Sequence, residues 1–135
     1  MNTEKTMLRF LGYRVDKMVF VTKKEDDSSS DRIVISPSFS RKIEEVDKNE
    51  YDVTIGVELK QSNLPFDAEL SIAGRFSYEG KMDVEKVLKV NAVAIMYPYV
   101  RSTLSLMTTL AAIPPVIIPT INLVQMFEKE EQTQG

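Results

Sequence analysis

The chain has 135 residues, a length typical of one domain, and 43% of its residues are hydrophobic and 27% charged, as in globular proteins. A net charge of −3 without a cluster of Lys and Arg disfavours a nucleic-acid partner. Cysteine and histidine are absent, which removes the usual zinc ligands, the thiol nucleophile and the commonest general base.

The first predicted strand covers about residues 7–23, and its apolar side chains fall on both parities. They are Leu11, Tyr13, Val15, Val19 and Val21 on one parity, and Phe10, Met18 and Phe20 on the other. We therefore expect part of this strand to be apolar on both faces. After a polar loop, a second strand within residues 32–46 contains Pro37, which cannot donate to a ladder and predicts an edge strand or a bend.

Two further strands follow, "YDVTIGVELK" at residues 51–60 and "FDAELSIAGRFSY" at residues 66–78. Both alternate apolar and polar side chains, the pattern of a strand with one buried face. The short turn "QSNLP" between them predicts an antiparallel pair. The first 80 residues thus predict four antiparallel strands.

A helical period replaces the strand period after Gly80, with Asp83 as the expected N-cap. Two apolar stripes run along this helix: Val93, Tyr97, Val100, Leu104, Met107 and Ala111 in one, and Met96, Tyr99, Thr103, Leu106 and Leu110 in the other. Together they cover an arc of about 180°, wider than one sheet face buries. We infer that the second side packs on another subunit. Pro98 should kink the helix or start a new one near Tyr97.

A proline-rich segment ends the helix, because Pro114, Pro115 and Pro119 exclude helix beyond about Ile113. "PPVII" is predicted to be an extended crossover, followed by a last helix that Thr120 caps and a fraying tail at 128–135. The 25 residues from 103 to 127 carry no charge, but the prolines argue against a membrane span.

No catalytic motif stands out, since the sequence has no P-loop, no GxGxxG and no metal-spaced cluster. We expect no enzyme activity, no metal and no cofactor. Without Cys and without an apolar N-terminal run, the chain is expected to be cytoplasmic. What remains is apolar surface lacking an obvious partner within the chain. Such surface is typical of a subunit interface or of a groove for apolar segments of another chain.

The helical part resembles the SecB-type export chaperones. The resemblance rests on "MYPYVR" at residues 96–101, on Ile113–Pro114 at the start of the crossover, and on Ile121–Asn122–Leu123 at the last helix. It extends over nearly the whole chain and implies an α+β fold in a single domain, residues 1–135. A four-stranded antiparallel sheet, about 7–80, would be followed by a long helix, a Pro-rich crossover loop and a second helix, about 83–131.

The resemblance also implies a function, namely ATP-independent holding of unfolded polypeptides or preproteins by a homo-oligomer, expected to be a dimer of dimers. The implied peptide-binding groove consists of Leu70, Ile113, Val116, Ile118, Ile121, Leu123 and Phe127. The implied core and oligomer interface consists of Tyr97, Tyr99, Val100, Leu104 and Met107. Asp16 and Glu69 match acids that contact the export motor ATPase in the family.

Some positions depart from the family pattern. Leu123 and Ile113 replace aromatic residues, and Phe20 replaces a second acid on the first strand. Two alternatives to an export chaperone fit the same residues. One is a SecB-like chaperone dedicated to a toxin–antitoxin pair, and the other is a non-enzymatic scaffold protein that binds one folded partner. The oligomer is a dimer or a tetramer in each case.

Overall fold

The computed structural model describes residues 7–23, 36–110 and 123–134, and it has the predicted α+β architecture. The strands are β1 (Met7–Thr22), β2 (Ser38–Asp47), β3 (Glu50–Leu59) and β4 (Phe66–Glu79). The helices are α1 (Val84–Val87), a π-helical turn (Leu88–Ala92), α2 (Val93–Leu110) and α3 (Leu123–Gln134). The predicted crossover lies outside the described residues. None of the helices in the described ranges is long and apolar enough to cross a membrane.

The four strands form one antiparallel sheet in the order β1-β4-β3-β2, so β1 and β2 are its edges. The edge position of β2 confirms the expectation drawn from Pro37, which precedes the strand directly. Asn49, with φ of 60°, makes the tight turn between β2 and β3, a backbone conformation that asparagine tolerates well.

Strand β1 is apolar on both faces near its end, as expected for part of the strand, and two register shifts explain the rest of its pattern. Its pairing with β4 shifts register between Phe10 and Gly12 and again between Val15 and Lys17. Each extra residue reverses the parity of the strand, so residues of both parities reach the same face. The side chains opposite the buried residues of β4 are Phe10, Tyr13, Val15, Met18 and Phe20. Val19 and Val21 remain on the outer face, opposite Glu69 and Asp67.

The core lies between the inner face of the sheet and the helices. Its largest fully buried side chains include Ile55, Ile72 and Phe76 from the sheet, and Met96 and Leu104 from α2. Helix α2 approaches β4 most closely at Gly74. A Cβ atom added there would clash with the Met96 sulfur atom, so only glycine fits beneath the helix at this position.

The described helices confirm the predicted N-cap, show no new helix start near Tyr97, and continue to Gln134. Asp83 accepts a hydrogen bond from the Glu85 amide at 3.3 Å, as an N-cap should. Pro98 lies inside α2 and no new helix starts near Tyr97. Pro98 is exposed, which allows water to reach the carbonyl group that the missing N–H leaves unbonded. The tail expected to fray is helical through Gln134, consistent with its Glu, Lys and Gln content.

Candidate functional site

The two stripes of α2 have different environments in the chain. In the first stripe, Tyr97, Val100, Leu104 and Met107 are buried in the core. In the second stripe, Met96 is fully buried, whereas Tyr99, Leu106 and Leu110 are 37%, 53% and 75% exposed. Four of the five predicted interface residues thus belong to the core of one chain, and Tyr99 is the one whose side chain is available to a partner. The interface assignment itself stays a prediction.

Exposed apolar side chains of β1 continue the surface of α2. The Tyr99 ring lies 4.8 Å from the Tyr13 ring and 5.6 Å from the Phe10 ring, centroid to centroid. Three residues on the helix side of β1 are each more than two-fifths exposed: Tyr13, Val15 and Met18. With Tyr99, Leu106 and Leu110 they form what we call the β1–α2 surface. The sequence signal for its β1 half was the pair of apolar parities, which the register shifts place on one face.

A second apolar region lies where β2, α2 and α3 meet, which we call the β2–α3 junction. Four partly buried apolar side chains of these elements pack against the core: Phe39 and Ile43 of β2, and Val124 and Met126 of α3. Phe127 of α3 is 4% exposed, and the Arg41 guanidinium lies 4.6 Å from the centre of its ring, which brings β2 and α3 together. The junction therefore combines partly buried apolar side chains with a cation over an aromatic ring.

The predicted groove residues are placed only in part. Leu70 and Phe127 are 2% and 4% exposed and both belong to the core cluster. Leu123 is the first residue of α3. The remaining four predicted residues lie outside the described ranges: Ile113, Val116, Ile118 and Ile121. The described part of α3 places Phe127 at the β2–α3 junction, and the groove as a whole stays a prediction.

The two predicted motor-contact acids are both in ion pairs. Asp16 accepts from the Arg14 Nε at 2.7 Å. Glu69 contacts the Lys17 Nζ at 2.6 Å and also the Lys60 Nζ. Hydrogen bonds from Lys17 and Lys60 lower the pKa of Glu69 to about 2. The acids that the resemblance picks out are thus neutralised by neighbouring cations.

A third acid on the same outer face of the sheet is buried. Asp52 is 5% exposed and accepts from the Arg75 Nε at 2.5 Å and the Arg14 Nη2 at 3.1 Å. The hydrogen bond from Arg75 is the main cause that lowers the pKa of Asp52, and Arg14 adds to it against the effect of burial. Since Arg14 is on β1 and Arg75 on β4, one carboxylate links three strands. Within the described ranges, no cluster of three or more candidate ligands could hold a metal ion.

Comparison with known proteins identifies the family. The sequence profile described as "Preprotein translocase subunit SecB" matches residues 29–134. The chain belongs to the SecB family. An uncharacterised protein of Methanocaldococcus jannaschii is 31% identical over 144 aligned positions, with 96% of this chain and 92% of that protein covered. The protein-export protein SecB of Anaplasma phagocytophilum is 31% identical over 87 positions, with 60% of this chain and 55% of that protein covered.

A solved SecB-like structure has the same fold. The Mycobacterium tuberculosis SecB-like chaperone Rv1957, in complex with a ChAD peptide from the HigA1 antitoxin, matches with a TM-score of 0.71. The match covers 84% of this chain and 90% of that chain at 14% identity. The chain spans 55% of the length of the export protein from A. phagocytophilum and 59% of that from Saccharophagus degradans. The sheet and helices thus have a SecB-like fold. This likeness does not by itself assign the activity of the longer relatives to this chain.

Proposed function

We propose that this SecB-family chain is an ATP-independent holdase chaperone that binds unfolded polypeptides at the β2–α3 junction. The observation that carries the proposal is the set of partly buried apolar side chains of β2 and α3 that pack against the core, namely Phe39, Ile43, Val124 and Met126. A surface of this kind binds extended apolar segments through many weak contacts, which suits varied clients. The crossover residues that the sequence analysis assigns to the groove are proposed to contact the same clients.

The β1–α2 surface is proposed to bind a second copy of the chain. Leu106 and Leu110 project apolar area that the single chain leaves in water, although α2 packs its other stripe in the core. Contiguous exposed apolar area is typical of an oligomer interface. A Leu106→Asp variant should therefore shift the protein to smaller species in native mass spectrometry, whereas Ala94→Asp, at an exposed position about 120° around α2 from Leu106, should not.

The proposed client is a preprotein for export or, alternatively, the antitoxin of a toxin–antitoxin pair. The ion pairs of Asp16 and Glu69 favour the antitoxin alternative, because they remove the uncompensated acids that a basic motor would bind. The M. tuberculosis chaperone with the same fold was solved with an antitoxin peptide. Titration of the chain with a purified export motor ATPase separates the two, since an export chaperone should bind it.

The test of the holdase function uses several unrelated unfolded proteins. Each is diluted from denaturant with and without the chain and without ATP, while light scattering records aggregation. The proposal predicts suppression of aggregation for most of them at near-stoichiometric chain, and a larger complex in native mass spectrometry. A folded oligomer that binds none of these clients would overturn it. Binding of one client alone would favour the dedicated chaperone or the scaffold.

A further inference from the structure

Strand β2 lies at an edge of the sheet, so its backbone pairs with β3 alone among the described strands. Phe39, the second residue of β2, belongs to the β2–α3 junction and meets the Tyr97 ring edge-on at 6.1 Å. The end of an edge strand opens at low cost in free energy, because few contacts hold it. The position of Phe39 in the junction therefore depends on what holds the chain just before β2.

The turn between β3 and β4 holds that part of the chain through one side chain. The Ser36 backbone amide donates to the Gln61 Oε1 at 2.6 Å. The Gln61 Nε2 donates to the Asn63 Oδ1 at 3.0 Å, which orients the Gln61 amide group with its oxygen toward Ser36. Between Ser36 and β2 lies Pro37, whose fixed φ stiffens the chain and whose ring restricts Ser36 to an extended conformation. A restraint on Ser36 is therefore passed to the first residues of β2.

The turn is itself fixed to the core and to the end of β1. Leu64 is 4% exposed in the core cluster, and its amide donates to the Gln61 carbonyl at 3.1 Å. Lys23, directly after β1, donates from its Nζ to the same carbonyl at 2.9 Å. The Lys23 backbone amide also donates to the Pro65 carbonyl at 2.8 Å. Gln61 thus connects a turn with buried and hydrogen-bonded anchors to the less supported end of an edge strand.

We infer that Gln61 is a positioning residue for client binding, which acts through Ser36 to hold Phe39 in the β2–α3 junction. This inference rests on the proposed holdase function and adds to it a residue outside the junction. A client that packs on a Phe39 ring already in place avoids the entropy cost of ordering the end of β2. Loss of the Gln61 acceptor should therefore weaken binding, although Gln61 itself contacts no client.

The test compares Gln61→Ala, which removes the acceptor, with Gln61→Glu, which keeps an oxygen for the Ser36 amide. Fluorescence anisotropy with the full chain gives the dissociation constant of labelled, reduced and carboxymethylated ribonuclease A, a client that stays unfolded. We expect Gln61→Ala to weaken binding about three- to tenfold, as for the loss of one hydrogen bond, and Gln61→Glu to stay within about twofold of the unchanged chain. Ser62→Ala, at the neighbouring exposed position of the same turn, should leave the affinity unchanged.

Two further measurements distinguish positioning from a general loss of stability. Urea denaturation should give the same midpoint for Gln61→Ala and the unchanged chain, whereas hydrogen exchange of the amides at residues 36–40 should become faster in the variant. In a double-mutant cycle, Gln61→Ala should weaken binding less when Phe39 is already replaced by alanine, because the ring that Gln61 positions is then missing. If the Phe39→Ala chain is unfolded by circular dichroism, Phe39→Leu takes its place in the cycle.

Four outcomes would overturn the inference. Three are an unchanged client affinity in Gln61→Ala, an equal loss in Gln61→Glu and Gln61→Ala, and losses that simply add in the cycle with Phe39. The fourth is a lower urea midpoint without faster exchange at residues 36–40, which would assign the effect to overall stability. An unchanged affinity in Gln61→Ala leaves the holdase function intact. If the unchanged chain does not bind the unfolded client, both proposals fail, so the two failures are distinguishable.

Discussion

Replacement of Asp52 by asparagine should weaken the attachment of the edge strand β1 to the sheet. The carboxylate is buried on β3 and accepts from Arg75 on β4 at 2.5 Å and from Arg14 on β1 at 3.1 Å. An Asp52→Asn variant retains one acceptor oxygen but loses the negative charge and the second acceptor. Both guanidinium groups then lose their shared counter-ion, and β1 loses its direct link to β3, which lies beyond its neighbour β4 in the sheet.

The size of the effect follows from the number and exposure of these bonds. A hydrogen bond to a charged group contributes about 1.5–3 kcal/mol when it is buried. The side chains of Arg14 and Arg75 are 52% and 38% exposed, so water replaces part of each bond and the upper values do not apply. We therefore expect a loss of about 2–3 kcal/mol in the free energy of unfolding. For a chain of this length, that loss lowers Tm by about 10 °C.

The pH dependence of the free energy of unfolding provides an independent test of the role of the Asp52 charge. The hydrogen bond from Arg75 lowers the pKa of Asp52 in the folded state. A lowered folded-state pKa stabilises the fold above the unfolded pKa of about 3.9, and this contribution is lost as pH falls through the lower folded-state value. The difference between the unchanged chain and Asp52→Asn should therefore be largest near neutral pH and shrink below about pH 4.

Urea denaturation measured at about pH 7 and about pH 3 tests both points, with Glu58→Gln as the control. Glu58 lies on the same face of β3 and is exposed, so its substitution should change stability by less than about 0.5 kcal/mol. A loss for Asp52→Asn no larger than that of the control would refute the reasoning. A loss that stays constant down to pH 3 would refute its electrostatic part.

Three other predictions concern the core, the outer face and the client site. Gly74→Ala should cost about 1–3 kcal/mol in urea denaturation, because the added methyl group overlaps the buried Met96; equal stability would contradict this. In an NMR titration of side-chain carboxyl groups, Glu69 should stay ionised well below pH 4, and a pKa near 4.3 would be contrary. Val116→Asp should weaken client binding and keep the fold, whereas Leu104→Asp, at a buried position, should disrupt folding or assembly. Similar behaviour of the two variants would contradict the division between a client groove and a buried core or interface.

The faces of the central strands were predictable, whereas those of β1 were predictable only in part, for a reason that lies in the register. In β3 and β4 an uninterrupted alternation marks the buried face, and Ile55 and Ile72 lie where that alternation puts them. In β1 the alternation changes parity twice, at the register shifts next to Gly12 and next to Asp16. A sequence reports parity but not bulges, so two bulges produce the pattern of a strand that is apolar on both faces, which β1 is only where Val19 and Val21 face outward.

The helix was predictable in its stripes but not in their division between core and surface. Periodicity identifies the two stripes equally well, and only packing shows that Leu104 is buried while Leu106 is 53% exposed. The narrow polar face was also less exposed than its composition suggests. Thr108 is fully buried, and its hydroxyl donates to the Ser105 carbonyl at 2.8 Å, which makes burial of this polar side chain affordable.

The ion pairs of the sheet show a similar difference. A motif match identifies an acidic residue, whereas the strand register shows which cations lie beside it. The match to the family pattern identifies Asp16 and Glu69 as acids but does not show the cations that pair with them. Their partners come from β1 and from the residue directly after β3, and only the strand register places Lys17 and Lys60 beside Glu69. The outer face of the sheet therefore offers no uncompensated acid at these positions. A motor contact through this face would therefore have to break these ion pairs or use other acids of the sheet.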